Sequence, residues 1–183
     1  MPEKYIPLPA DLIFTHGEGW ISSAIRFFQR HRGEEPSYAN HTAGIGSTQL
    51  CVVEALWRVI STPLEIWLSE HPQFQIWRMT SLDLPTRARI AKQAESYIGA
   101  KYGVLKVGLH MGDGVLGKVL GKEVYFFRRM AFMKPYPICS WEWAWAYWSE
   151  GIQLGPAPAY QNPDAQLDYA MGNPDWRMVL EAP

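Results

Sequence analysis

The chain has 183 residues, 48% of them apolar and 19% charged, with 17 basic side chains against 18 acidic ones. That length predicts one domain with a core that needs no staples, and an aromatic share of 14% is far from the composition of a disordered chain. A formal charge of −1 gives no global field for nucleic acid or an anionic membrane, so no nucleic-acid partner is expected.

The opening Met-Pro-Glu-Lys-Tyr-Ile-Pro has no basic segment leading into an apolar one, and no uncharged apolar run approaches the roughly 18–20 residues of a membrane span. A soluble chain without an export signal is expected, cytoplasmic or of unknown compartment, a viral origin included. Asp11-Leu12-Ile13-Phe14 suits a short strand, and Trp20, Ile21, Ala24, Ile25 and Phe28 then recur at helical spacing. A loop over 32–40 leads to two apolar runs, His41 to Ile45 and Leu50 to Trp57, separated by Gly46-Ser47-Thr48-Gln49, which predicts a hairpin. Gln73 to Met79 alternates as a strand. Pro85 to Ile98 carries Ile90, Ala91, Ala94, Tyr97 and Ile98 on one face and ends at Gly99, as a helix should. The stretch from about 103 to 134 is basic and amphipathic and reads as an insert. Pro135 and Pro137 then stop one element and allow a helix to start near Cys139 and run to Glu150. On it Trp141, Trp145 and Trp148 share a face and Trp143 lies opposite. The proline-rich tail is expected to be extended and to wrap the domain.

Two cysteines cannot form a disulfide framework, so each is packing or chemistry. Cys51, in a Val-rich strand, is expected to pack in the core. Cys139 is expected at a helix N-terminus, where free backbone N–H groups and the positive end of the dipole favour a thiolate over the ordinary thiol, whose pKa is about 8.5. The N–H groups of Cys139 and Ser140 would also hold the oxyanion of a tetrahedral intermediate. Glu54 is the only charge in Leu50-Cys51-Val52-Val53-Glu54-Ala55-Leu56-Trp57, and a buried carboxylate needs a partner. If the hairpin turns over Ser47-Thr48, or over the four residues from Gly46, its pairs sum to 95 and His41 faces Glu54 directly. The plainer alternative puts Glu54 on an exposed edge and His41 at a loop.

Asp11-Leu12-Ile13-Phe14, Asn40-His41 opening a strand, Val53-Glu54-Ala55 on the next, Tyr97-Ile98-Gly99-Ala100-Lys101-Tyr102, and Ile138-Cys139-Ser140 opening a helix together resemble the circularly permuted papain-like hydrolases. These are the YiiX-like relatives of NlpC-type peptidases and of lecithin:retinol acyltransferase. The resemblance covers roughly residues 10–180 and implies an α+β fold with an antiparallel sheet packed against helices. It further implies a Cys139 nucleophile, a His41 base, a Glu54 that orients it, and no cofactor. Where such proteins often have Ser-His this chain has Asn40-His41. After Cys139-Ser140, where they carry Glu-Leu-Val-like residues, it has Trp141-Glu142-Trp143, so Trp141 and Trp143, with Tyr136, are expected to shape the substrate pocket.

Other motifs carry less. Gly112 to Lys118 follows a phosphate-loop pattern but is followed by Val119, which has no hydroxyl for Mg²⁺. His110 and Asp113 lack a companion at metal-ligand spacing, and His16, His31 and His71 stand alone. Lys118 to Lys134 could meet a membrane surface, act as a lid, or be an amphipathic helix with snorkelling cations. The expected function is cysteine-dependent hydrolysis of a peptide or cell-wall amide. The alternatives are a lipid acyltransferase or thioesterase on the same fold, and a non-catalytic binding or structural module. Nothing in the sequence fixes the oligomeric state.

Overall fold

The computed structural model describes residues 5–17, 38–102 and 137–182, together with 112, 113, 115–117, 119, 120, 124 and 126. The elements run β1 (Leu12–Thr15), β2 (His41–Ile45), β3 (Cys51–Ala55), β4 (Val59–Pro63), α1 (Leu64–Glu70), β5 (Phe74–Met79), α2 (Leu84–Glu95), α3 (Cys139–Trp148), a 3₁₀ turn (Pro158–Tyr160), α4 (Pro163–Gly172) and β6 (Trp176–Glu181). The strands form one six-stranded antiparallel sheet in the order β4-β3-β2-β1-β5-β6.

Side-chain alternation divides the sheet's apolar residues between two cores. Leu12, Phe14, Val53 and Ala55 face Trp143, Ala146 and Tyr147 of α3, with Ile90 and Ala94 of α2 completing that layer. Ile13, Ala43, Ile45, Val52, Phe74 and Ile76 face the other way, onto Trp67 of α1. Gly44 is what lets α3 sit so close, because a Cβ there would fall 2.5 Å from Cζ2 of Trp143. Asp11, fully buried beside β1, accepts from Arg78 Nε at 2.8 Å and Nη2 at 2.6 Å, from Arg87 Nη1 at 3.3 Å and from Tyr5 at 3.0 Å, so its charge is compensated inside the fold.

Helices α2 and α4 start where capping chemistry says they should. Asp83 accepts from Thr86 N–H at 2.9 Å with Pro85 in the first turn of α2, and Asn162 accepts from Ala165 N–H at 2.8 Å with Pro163 opening α4. Gly151, at φ +77°, turns the chain away from α3.

Several expectations are corrected. The tail does not merely wrap: α4 and β6 are regular elements, β6 pairs with β5, and Leu167, Ala170 and Trp176 enter the α3 core. Pro163 initiates a helix because its missing N–H falls at a position that has no intrahelical partner. Strand β4 and helix α1 follow the expected hairpin directly and extend the sheet by one edge strand. Cys51 is half-buried at the start of β3, 3.5 Å from Thr48 Oγ1, and is not a core residue. The expected helix over 20–28 and the basic insert, apart from the few positions named above, lie outside the described residues. Of the Gly112 motif, the described positions 112–113 and 115–117 are helical. Among the described residues no helix is long and apolar enough to cross a membrane.

Candidate active site

The hairpin register is two residues from the expected one. Ala43 pairs with Glu54, Gly44 with Val53 and Ile45 with Val52, so paired numbers sum to 97. The loop is Ser47 to Leu50, pinned by Glu95 of α2, which accepts from Ser47 N–H at 2.6 Å and from its hydroxyl at 2.8 Å, and Gln49 takes φ +65°. His41 and Glu54 are therefore diagonal neighbours, not direct ones. A shift of two preserves the face, so the two side chains still share one side of the sheet. They meet: His41 Nε2 lies 2.8 Å from Glu54 Oε2. Glu54 is 2% exposed, and its second oxygen, Oε1, accepts from Trp67 Nε1 at 2.9 Å.

Cys139 is the first residue of α3, with Ile138 as its N-cap. The ladder between β2 and β3 ends at Ala43–Glu54, while that between β1 and β2 continues to Thr15–His41. Backbone N–H groups alternate along a strand, and Gly46 N–H is given to Cys51 O across the β2–β3 hairpin. Thr42 N–H lies on that same side, past the end of the ladder, and it is directed to the Cys139 sulfur. The sheet thus opens where the helix N-terminus enters it. His41, as the first residue of β2, reaches Glu54 on one face and Cys139 on the helix that packs against the other.

The electrostatics favour charge separation. Burial works against the Cys139 thiolate, but the His41 imidazolium beside it and the N–H groups of Thr42 and Ser140 outweigh burial and lower the thiol below its ordinary value. Burial likewise works against the imidazolium, and the Cys139 charge, its hydrogen bond and then Glu54 overcome this, raising His41 to about 10. Burial pushes Glu54 up, and the hydrogen bond and charge of His41, with smaller contributions from His71 and Trp67, bring it below the ordinary carboxylate value. All three shifts run in the direction that favours a thiolate beside an imidazolium and an ionised carboxylate. With Nε2 held by Glu54, Nδ1 is the ring nitrogen left for the sulfur.

Ser140 is fully buried, its hydroxyl donating to Gln161 O at 3.1 Å and its carbonyl accepting from Gln166 Nε2 at 2.8 Å, so the C-terminal elements clamp the first turn of α3. Trp141 lies against Tyr97, ring centroids 5.5 Å apart at 69°, and stacks with Trp145 at 5.7 Å and 6°. Trp143 is not a pocket residue. It is fully buried, packs on Gly44 and donates to Val53 O at 3.1 Å, because its side of the helix faces the sheet. Tyr136 and His110 lie outside the described residues, and Asp113 is buried.

The structure also brings to the site residues that sequence reasoning missed. Tyr102, at the end of the Gly99-Ala100-Lys101-Tyr102 motif, is raised well above an ordinary phenol by burial and by Cys139 beside it, and stays a neutral donor. Glu142, one turn after Cys139, is fully buried with neither oxygen hydrogen-bonded, and burial and then the Cys139 charge push it well above the carboxylate range. Trp67 had a faint signal in the i, i+3, i+4 pattern of Leu64, Trp67 and Leu68, but nothing in that pattern points to Glu54.

No family model matches the sequence, and no curated protein matches it. Among solved structures the chain is similar to YiiX from Escherichia coli O157:H7, described as a metalloprotein, with a TM-score of 0.65 and 18% identity over 97% of this chain and 98% of that one. The chain is a mixed α+β protein with a YiiX-like fold.

Proposed function

We propose that the chain is a cysteine-dependent hydrolase of the permuted papain type, related to the NlpC-type peptidases, which cleaves an amide through an acyl-enzyme. The observation that carries this reading is the 2.8 Å bond that ties His41 Nε2 to buried Glu54 while the imidazolium lowers the Cys139 thiol at the start of a helix. The permuted order, base before nucleophile, and the fold shared with YiiX support it.

The thiolate needs no prior deprotonation. Its sulfur attacks the scissile carbonyl carbon, forming the S–C bond and moving the carbonyl π electrons onto oxygen. The backbone N–H groups at the start of α3 are the donors nearest that oxyanion. Collapse breaks the C–N bond, and the amine leaves with the proton from His41. The neutral imidazole then takes a proton from water as the water attacks the thioester, and the sulfur departs as thiolate. Glu54 holds the ring in one orientation and stabilises the imidazolium.

YiiX is described as a metalloprotein. Among the described residues no group of three His, Cys, Asp or Glu side chains is placed to hold a metal ion, and His41 Nε2 is committed to Glu54. The substrate is a peptide or cell-wall amide, taken by a single domain.

Iodoacetamide labelling of Cys139 followed across pH tests the proposal. The wild-type rate should rise with an inflection well below pH 8.5, the ordinary thiol value, and His41→Ala should move it to that value. Labelling indifferent to His41→Ala would end the catalytic reading and leave a binding module. Intact-mass detection of an acyl adduct on Cys139, with amide, ester and thioester substrates compared, then assigns the bond cleaved.

A further inference from the structure

Glu54 has two carboxylate oxygens, and His41 uses one of them. The other accepts from the indole N–H of Trp67, in a bond closed off from solvent. Trp67 is fully buried on the inner side of α1 and is gripped by its neighbours. The His71 ring lies flat against it, centroids 4.0 Å apart at 8°, and Phe74 meets it edge-on at 5.5 Å and 69°. His71 also donates from Nδ1 to the Trp67 carbonyl at 2.8 Å, which locks one turn of backbone beneath the indole. Held at both oxygens, the carboxylate is fixed in orientation with Oε2 directed at the imidazole. Freed of the indole, Glu54 would keep a buried, unsatisfied oxygen and could turn to relieve it.

We propose that Trp67 is a positioning residue of the Cys139–His41–Glu54 site: its indole N–H fixes the Glu54 carboxylate as the acceptor for His41 and so sets the imidazole in place beside the sulfur. This rests on reading Cys139 and His41 as the reactive pair. His71 acts one step further out, as the clamp that keeps the indole in plane. Trp67 touches neither substrate nor the reacting atoms, so its effect should appear in how the thiol titrates.

The test is the pH profile of Cys139 alkylation by iodoacetamide in four proteins: wild type, Trp67→Phe, Glu54→Gln and the double variant, each first checked for folding by circular dichroism. Trp67→Phe should move the inflection up by about one pH unit, so that labelling well below it slows roughly tenfold. In the Glu54→Gln background the same substitution should move it no further, because the path runs through Glu54. A folded Trp67→Phe protein with the wild-type inflection, or an equal shift in both backgrounds, overturns the proposal while leaving the hydrolase reading intact. A wild-type thiol with ordinary titration overturns both.

Should Trp67→Phe fail to fold, the wild-type protein still decides. The Trp67 indole N–H resonance, assigned in isotope-labelled protein, should shift through the same inflection as the thiol. A resonance that stays flat across it refutes the link.

Discussion

Glu142 follows Cys139 by one helical turn, with both of its carboxyl oxygens buried and unbonded and, after burial, the charge at Cys139 as the largest influence on it. Burial comes first, and the Cys139 charge second, in holding this acid in its neutral form. A group whose folded pKa lies above its unfolded one destabilises the fold once pH exceeds the unfolded value, near 4.5. Wild-type stability should therefore fall, relative to a Glu142→Gln variant, as pH rises from about 4.5 toward neutrality. Urea unfolding at pH 4, 5.5 and 7 measures this, and a difference that stays constant or shrinks would contradict it.

Glu54 has the opposite sign. Its folded pKa lies below the ordinary value of 4.5, after His41 and Trp67 overcome the effect of burial, so it contributes stability above that pH and loses it as pH falls through the folded value. Acid unfolding of Glu54→Gln should be less steep below pH 4.5 than that of the wild type, though the variant is less stable at pH 7. Thermal melts over pH 2–7 would show it, and parallel curves would count against an ionised Glu54.

The Asp11 carboxylate is buried between two guanidinium groups, and Arg87 is almost as buried. Asp11→Ala leaves Arg87 charged without its carboxylate, a loss that costs about 3–5 kcal/mol in comparable buried pairs. The melting temperature should fall sharply. Arg78→Ala should cost less, since Arg78 is 20% exposed and water can take its place.

Gly44→Ala should cost about 1–3 kcal/mol by overpacking against Trp143, whose ring is anchored by its bond to Val53 O and cannot retreat. Trp143→Leu should be less destabilising in that variant than in the wild type, because it removes the clash along with the ring. Chemical denaturation of the four proteins gives the coupling, and strict additivity would argue that the helix simply shifts.

Much of the site was legible because its chemistry is costly to bury. A lone Glu in an apolar strand demands a partner, and His41 on the neighbouring strand was the available one. The register was not legible. It depends on a four-residue loop with Gln49 at positive φ, and the residues between the strands allow more than one loop length. That error was harmless because an offset of two keeps the face. Strand β4 leaves no sequence signal because an edge strand with Ser61, Thr62 and Pro63 has no apolar alternation. Trp67 escaped because its partner is fixed by the packing of α1 on the sheet, a tertiary relation that no local pattern encodes. In the tail, proline density suggests an extended chain, although Asn162-Pro163 is also a helix start.

His41 and Glu54 lie early in the chain, and Cys139 begins the helix that docks on them much later in sequence. The reactivity of this thiol is therefore a property of the docked helix: in a nascent or unfolded chain Cys139 is an ordinary cysteine. On the proposed reading, the sulfur becomes nucleophilic at low pH only when α3 seats against Gly44 and brings it beside His41 and the Thr42 N–H. Alkylation in mild acid would thus serve as a clock for one assembly event during synthesis or refolding, timing the arrival of α3 at the sheet independently of the sheet's own formation.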